Sequence, residues 1–516
     1  MRAVLCFALL AIAATTSPAA DDLWAVARRQ ARVHRFSTLF TAQNVRDYLS
    51  TDEGILEALE WCRRNGITKI YLEAYRSRYR AARETLLRAK DRFRRAGFLV
   101  SGCVTTTRVG KISNGWNLIS CYTNDRTQEE LKEIFQYAAG IFDEIMIDDF
   151  FFTDCTCEEC DRARRQRKVT VAGRSFPVAA EDWEHYRGEL MLRVAERLVI
   201  APAKAVNPRA RLIIKFPQWY DRFYERGYDV IRETAVFDRI WVGTETRDRG
   251  PRRGRMQYAA YFLMRWLGGI GGRKTGGGWF DPLRTTEKTY VEQARQTVLG
   301  GARESVLFCY GALHRNFGPE DLSALRTEIP ELLEVAGQVR RRTPIGIAAY
   351  KPPNSAPDGD DYVFDHVGML GMPLEPVHTF PEDAKAIFLS VHALADPDLG
   401  PKLTKYLATG RPVLITEGLA RRLSGRWKLD AENLHLLRAG ARPEQLLGMT
   451  QSKLDALRQV MLEPFGVTFQ SPPGVGFYLF SDGSWVVENF NDRGVTVKIG
   501  GEPLTLGPRA WAYRWK

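Results

Sequence analysis

Short apolar segments alternate with amphipathic ones from Val33 to about Arg315. The apolar segments predict strands at His34–Thr41, Thr68–Ala74, Phe98–Thr105, Glu144–Phe150, Leu212–Pro217, Arg239–Glu245, Lys274–Phe280 and Ser305–Tyr310. The segments between them predict helices at Asp52–Asn65, Ala82–Ala96, Gln128–Phe142, Ala180–Val206, Arg255–Leu267 and Thr286–Leu299. Strand–helix alternation of this kind joins parallel strands by crossovers. Eight units predict an α/β fold with a closed (β/α)8 TIM barrel over residues 30–335.

An open doubly wound sheet is the alternative, but no Gly-rich phosphate-binding turn follows the first predicted strand. The Gly-rich segment Gly268–Gly278 is instead predicted to be a flexible loop on the active face of the barrel.

The pattern changes after Pro330. Residues 343–462 predict a flavodoxin-like α/β domain, with strands at Pro344–Tyr350, Glu375–Thr379, Ala386–Ser390 and Pro412–Thr416, and helices at Tyr362–Leu370 and Gly400–Thr409. Residues 465–516 contain only strand signals and predict a small C-terminal β-sandwich, with strands at Gly476–Phe480, Trp485–Asn489, Val495–Ile499 and Ala510–Trp515.

The N-terminus has the features of a signal peptide over residues 1–20. Arg2 precedes the apolar run Ala3–Ala14, and small residues follow before Asp21. We therefore expect a secreted or periplasmic protein. The apolar run is too short to cross a bilayer, so we expect no membrane span. The formal net charge of +12 is spread along predicted helix faces, which argues against a nucleic-acid partner.

Four cysteines could form one cluster. Cys121 lies after the third predicted strand, and Cys155, Cys157 and Cys160 form Cys-x-Cys-x-x-Cys after the fourth. Loops after neighbouring barrel strands lie side by side, so four thiolates could bind a structural Zn²⁺ ion. The alternative is a pair of disulfides, one of which links Cys121 to Cys155 or Cys157.

A barrel with these cysteines, followed by these two domains, resembles the β-galactosidases of glycoside hydrolase family 42. The resemblance implies that the four cysteines are zinc ligands and that the flavodoxin-like domain forms a homotrimer. The catalytic residues depart from that family, which places Asn-Glu at the end of strand four and a Glu at the end of strand seven. Here strand four contains Asp148-Asp149, and only Asp281 follows strand seven. An Asp-ended fourth strand is more similar to α-fucosidase-like and α-galactosidase-like barrels, where it implies an Asp nucleophile.

Barrel chemistry occurs at the carboxyl ends of the strands, and glycoside hydrolysis commonly needs two carboxyl groups that face one bond. Asp148, Asp149 and Glu245 are the predicted catalytic residues. Strand alternation predicts that Asp148 points into the barrel and Asp149 points away. Their structural alternatives are ion pairs, with Arg247 or Arg249 as partners of Glu245. Asp248 and Asp281 are further acids at strand ends.

Further residues at strand ends are predicted to bind substrate: Glu73, Lys215, Trp219, Trp241, Tyr310 and His314. The alternative for Glu73 is an ion pair inside the barrel, with Lys215 as a candidate partner, and the alternative for the aromatic residues is a place in the core.

Together these features predict a secreted glycoside hydrolase that acts on an oligosaccharide or glycoside. The alternative is a catalytically inactive barrel that binds glycans or serves as a scaffold, and a lyase is a third possibility. The absence of a Glu on strand seven favours the inactive barrel, whereas the acids and aromatic residues at strand ends favour the enzyme.

Overall fold

A computed structural model describes residues 22–247, 256–425, 430–438 and 442–516. The predicted signal peptide, the candidate acid Asp248 and Arg249, a candidate partner of Glu245, lie outside the described residues. None of the helices in the described ranges is long and apolar enough to cross a membrane.

Eight parallel strands in the described chain close into a barrel, as the alternation predicted. They are β1 Arg35–Phe40, β2 Ile67–Arg76, β3 Leu99–Val104, β4 Glu144–Ile147, β5 Arg211–Phe216, β6 Arg239–Gly243, β7 Thr275–Phe280 and β8 Glu304–Leu307. Closure follows because β1 pairs in parallel with both β2 and β8. The (β/α)8 fold is confirmed.

The barrel is surrounded by helices at Ala42–Tyr48, Asp52–Arg64, Arg83–Arg95, Asp125–Ala139, Glu158–Arg165, Trp183–Val194, Ala201–Val206, Val230–Val236, Tyr258–Gly271, Glu287–Leu299, Tyr310–Arg315 and Pro319–Arg340. A helix at Leu23–Gln30 precedes β1. A hairpin of Lys168–Val171 and Arg174–Pro177 follows the helix Glu158–Arg165.

Buried hydrophobic side chains fill the barrel interior, and each strand contributes one to this cluster: Leu39, Tyr71, Cys103, Met146, Ile213, Trp241, Trp279 and Val306. The Trp241 ring packs against β7 at Gly276, where an added Cβ atom would lie 2.1 Å from the indole. The prediction of a flexible loop at Gly268–Gly278 is therefore wrong. Its first residues complete the helix Tyr258–Gly271, and its last lie in buried strand β7.

The second region is a parallel sheet with helices. Its strands run in the chain at Ile347–Tyr350, Leu374–Val377, Ile387–Leu389, Val413–Thr416 and Leu434–Leu437. Their spatial order is 2-1-3-4-5, which is the flavodoxin-like order. Its helices are Val363–Gly368, Leu399–Leu407, Glu417–Leu423 and Gln451–Leu462.

The C-terminal region consists of two small antiparallel sheets. One contains Pro344–Ile345, Val475–Phe480, Trp485–Asn489 and Trp511–Arg514, and the other contains Phe469–Gln470, Val495–Ile499 and Glu502–Leu506. The sequence predicted one strand over Pro344–Tyr350, but the chain changes sheets at Gly346. Pro344–Ile345 pairs with Val475–Phe480, and Ile347–Tyr350 enters the parallel sheet.

Candidate active site

A cavity of about 340 Å³ opens where β2, β4, β5, β6 and β7 end. Four acids line it, namely Asp148, Asp149, Glu245 and Asp281, together with the basic residues Arg76, Lys215, Arg226 and Arg247. The aromatic lining consists of Trp116, Phe150, Phe152, Trp219, Trp279 and Phe308. Acids in a small cavity with aromatic walls match the general features of a carbohydrate site.

Lys215 connects three of the acids. It lies two residues beyond the inward-facing Ile213 on β5, so strand alternation directs it into the barrel. Its Nζ atom is 2.6 Å from Glu245 Oε1, 3.1 Å from Asp149 Oδ2 and 3.7 Å from Asp148 Oδ1. The same ammonium group lies 4.4 Å from the centre of the Trp279 ring. One buried cation thus fixes the ends of β4, β5 and β6 relative to one another.

Asp148 and Asp149 have different electrostatic surroundings. Burial acts to raise the pKa of Asp148, but the charges of Lys215 and Arg76 lower it to about 2. Arg76 Nη2 donates to Asp148 Oδ2 at 2.7 Å. Burial raises the pKa of Asp149 to about 7, and the neighbouring charge of Asp148 adds to this effect against Lys215. Two carboxyl groups whose pKa values are driven apart suit an acid and an ionised partner.

The orientation of Asp149 differs from the prediction. Alternation along an extended strand directed it away from the barrel, but β4 ends at Ile147. The backbone turns at Asp149, where the alternation no longer applies, and both carboxyl groups reach the cavity. Asp149 is the more accessible, with 14% of its side chain exposed against 3% for Asp148.

Glu245 is buried two residues after β6. Its partner is Lys215, so the alternative of an Arg247 partner in a solvated loop does not hold. Arg247 pairs instead with Asp281 after β7, its Nε lying 3.0 Å from both carboxylate oxygens. Burial raises the pKa of Glu245 despite the opposing charge of Lys215. A Cβ atom at Gly243 would lie 2.6 Å from Glu245 Oε2, so the glycine leaves space for this carboxyl group.

The structure brings Lys215 and Trp219 to the cavity, but places four other predicted substrate-binding residues away from its lining. Glu73 is fully buried and accepts hydrogen bonds from Arg76 Nε and Ala42 N, so it holds Arg76 and does not pair with Lys215. Trp241 fills the barrel interior.

Tyr310 and His314 lie on the helix that follows β8, outside the cavity. Their rings stack on one another, and His314 Nε2 is 3.0 Å from Glu57 Oε1. The predicted strand at Ser305–Tyr310 ends earlier, at Leu307, and Tyr310 then begins a helix. The helical turn directs both residues towards the outer helices.

Sequence reasoning missed Arg76, Trp116 and Arg226 among the cavity residues. The sequence could have identified Arg76, because it ends β2 three residues after the predicted site residue Glu73. Trp116 and Arg226 belong to the connections after β3 and β5, where no strand or helix period predicts a direction.

The four predicted cysteines lie together, in the connections after β3 and β4. Their sulfur atoms all lie within 4.8 Å of one another, and every one of these thiols is free. Cys121 Sγ is 3.7 Å from Cys157 Sγ and 3.5 Å from Cys160 Sγ. Zn–S bonds of roughly 2.3 Å in a tetrahedron give sulfur–sulfur distances of about 3.8 Å. The donor set and its spacing therefore fit a tetrahedral Zn²⁺ ion.

Residues 21–326 match the sequence model of a family described as probable glycosyl hydrolase, catalytic domain. Residues 342–439 match that of the second domain of the uncharacterized protein SSO3021. The chain is 28% identical to that protein of Saccharolobus solfataricus over 353 residues, which are 63% of this chain. It spans only 57% of the relative's length.

Two solved structures share the fold. α-L-Fucosidase isoenzyme 2 from Paenibacillus thiaminolyticus aligns with a TM-score of 0.60 and 10% identity, over 90% of this chain and 93% of the fucosidase. The apo exo-carrageenase of glycoside hydrolase family 42 from Bacteroides ovatus aligns with a TM-score of 0.52 and 9% identity, over 93% of this chain and 79% of the carrageenase. At these identities the likeness shows a common fold.

Proposed function

The chain belongs to the family of probable glycosyl hydrolase catalytic domains, and from that membership we propose that its barrel cleaves a glycosidic bond with Asp149 as general acid and Asp148 as ionised partner. The observation that carries the proposal is the pair of adjacent carboxyl groups on one lysine, where Lys215 and Arg76 lower the pKa of Asp148 and burial raises the pKa of Asp149. Such a pair supplies a proton and a negative charge at the same pH.

In this mechanism Asp149 donates its proton to the glycosidic oxygen as the bond to the anomeric carbon breaks. Asp148 remains ionised because the positive charges of Arg76 and Lys215 stabilise its carboxylate. In this mechanism the carboxylate faces the positive charge that develops on the sugar ring. A water molecule then completes hydrolysis and returns a proton to Asp149. Glu245 Oε1 lies 2.6 Å from Lys215 Nζ, and this ion pair fixes the position of the ammonium group in the cavity.

Hydrolysis of a panel of α- and β-linked aryl glycosides tests the proposal. We expect the parent protein to cleave at least one member, and Asp148→Asn to lose that activity. Asp398→Asn is the control, because its side chain is 74% exposed in the flavodoxin-like region. A parent that binds glycans but cleaves no member would support the inactive glycan-binding barrel instead.

We also propose that the four-cysteine cluster holds one structural Zn²⁺ ion. The free thiols and their spacing support this proposal. Cys155, Cys157 and Cys160 belong to the same connection after β4 as Asp148 and Asp149, six to eleven residues after Asp149. A bound ion would clamp this loop to the connection that contains Cys121, and would thereby limit the movement of the acidic pair.

Export and trimer formation complete the proposal. Export is supported by the pattern of residues 1–20, and the trimer by the resemblance of the domain order to glycoside hydrolase family 42. Sequencing of the mature N-terminus and light scattering test these two features.

A further inference from the structure

Arg226 is a charged wall residue of the cavity that the proposed mechanism does not use. It follows β5 on the short helical turn Tyr224–Arg226 and is half-buried. Its guanidinium carbon lies 4.7 Å from the centre of the Trp219 ring and 5.1 Å from that of Phe152. Two aromatic rings therefore hold the cation in place, but they offer it no hydrogen-bond acceptor.

The two acids whose charges act on Arg226 are hydrogen-bonded to other groups. Burial lowers the pKa of Arg226, and Glu225 and Asp154 oppose that effect only through their charges. Glu225 accepts two hydrogen bonds from Arg222, at 2.7 and 2.9 Å. Asp154 accepts from Ser113 Oγ and from the backbone of Trp116. Within the described parts of the chain, no acceptor contacts the Arg226 guanidinium.

The other cavity arginines differ in this respect. Arg76 is bound by Glu73 and Asp148, and Arg247 by Asp281. In the described chain the guanidinium nitrogens of Arg226 have no protein acceptor and none of them is fully buried, so their N–H donors are open to the cavity. A ligand anion at this wall would accept charge-assisted hydrogen bonds from them.

We propose that Arg226, with Trp219 and Phe152, forms a subsite for a negatively charged group on the sugar, so that the substrate is an acidic glycan. The inference rests on the proposed glycosidase function and names its substrate class. The planar guanidinium fits a carboxylate or a sulfate ester equally well. The experiment below distinguishes between these two ligand groups. Trp219 and the exposed Trp116 offer ring faces for the sugar beside the charge.

The test compares the parent, Arg226→Gln and the control Arg95→Gln on matched aryl glycosides: a neutral hexoside, its uronide and its 6-O-sulfate. Arg95 lies on the helix Arg83–Arg95, is 77% exposed and pairs with Asp91, and it does not line the cavity. We expect the parent to prefer the uronide or the sulfate. Arg226→Gln should lower kcat/KM for that substrate by roughly 10- to 100-fold and change the neutral one by less than about twofold.

A preference for the uronide identifies a carboxylate ligand, and a preference for the sulfate identifies a sulfate ester. Equal use of neutral and charged substrates by the parent, or equal losses on both in Arg226→Gln, would overturn the inference.

Calorimetric binding of uronate, sulfated and neutral hexose oligomers separates this inference from the proposed function. Binding of a charged oligomer that disappears in Arg226→Gln but persists in Arg95→Gln supports the subsite even if no glycoside is cleaved. If the protein cleaves neutral glycosides but binds neither charged oligomer, the proposed glycosidase function is supported and the inferred subsite is contradicted.

Discussion

Lys215 Nζ lies 2.6 Å from Glu245 Oε1, and this contact joins the ends of β5 and β6 at the mouth of the barrel. Both side chains are about 1% exposed. Asp148 and Asp149 contact the same ammonium group, so one cation serves three carboxyl groups, of which Asp148 and Glu245 are buried and Asp149 is partly exposed. Burial acts to lower the pKa of Lys215, but the negative charges of the three carboxyl groups hold this pKa above its ordinary value.

Replacement of Lys215 by Met should therefore destabilise the protein by about 3–5 kcal/mol, because three carboxyl groups lose their buried counter-ion. Chemical denaturation measures this change. Lys204→Met is the matched control, since Lys204 forms one partly exposed pair with Asp238, and it should cost less than about 1 kcal/mol. Equal losses in the two variants would contradict the central role of Lys215.

The pH dependence of catalysis should report Asp149. A general acid works only while protonated, so kcat/KM should fall about tenfold per pH unit above the pKa of about 7. Asp149→Asn should lose about 10²- to 10⁴-fold on substrates with poor leaving groups, less on dinitrophenyl glycosides, and should lack this alkaline decline. Profiles of kcat/KM against pH measure both effects. An unchanged decline in Asp149→Asn would assign the acid to another group.

Metal analysis of the purified protein should find about one Zn²⁺ ion per chain. Cys160→Ser should lose the metal and lower the melting temperature, since Cys160 is buried within the cluster. Cys62→Ala should keep the metal, because Cys62 is a core residue outside the cluster. Peptide mapping that finds disulfides between these cysteines would rule out the zinc site.

Gly276→Ala should destabilise the barrel by about 1–3 kcal/mol or more, because its Cβ atom would lie 2.1 Å from the Trp241 ring. The matched substitution is Gly268→Ala in the helix Tyr258–Gly271. Nothing lies within 4 Å of a Cβ atom there, so alanine should stabilise by up to about 1 kcal/mol. Thermal unfolding compares the two variants, and a tolerated Gly276→Ala would show that the indole can move.

The barrel and the flavodoxin-like region meet at Asp221, which is fully buried. Its carboxylate lies 2.8 Å from His392 Nε2 and 3.4 Å from Lys351 Nζ. Asp221→Asn leaves Lys351 without its buried counter-charge and should cost about 3–5 kcal/mol in chemical denaturation. Asp358→Asn, at an exposed pair with Arg422, should cost less than about 1 kcal/mol. A loss in Asp221→Asn no larger than that of the control would show that this contact does not hold the two regions together.

The sequence determined the barrel, because the alternation of apolar strands and amphipathic helices is local and seven of the eight strands follow it clearly, whereas the Gly-rich β7 also matched a loop. It also found Asp148, Asp149, Glu245 and Lys215 at strand ends, where parallel topology brings side chains together. The four cysteines were found for the same reason, since their spacing places them in adjacent loops.

Only the tertiary structure decided which of these groups meet. The end of β4 at Ile147 turned Asp149 into the cavity, and the start of a helix at Tyr310 took Tyr310 and His314 out of it. Trp116 and Arg226 come from connections whose path depends on packing against distant segments. Periodicity directs a side chain only within a strand or helix, whereas the partners of a charge are chosen by contacts far apart in the chain.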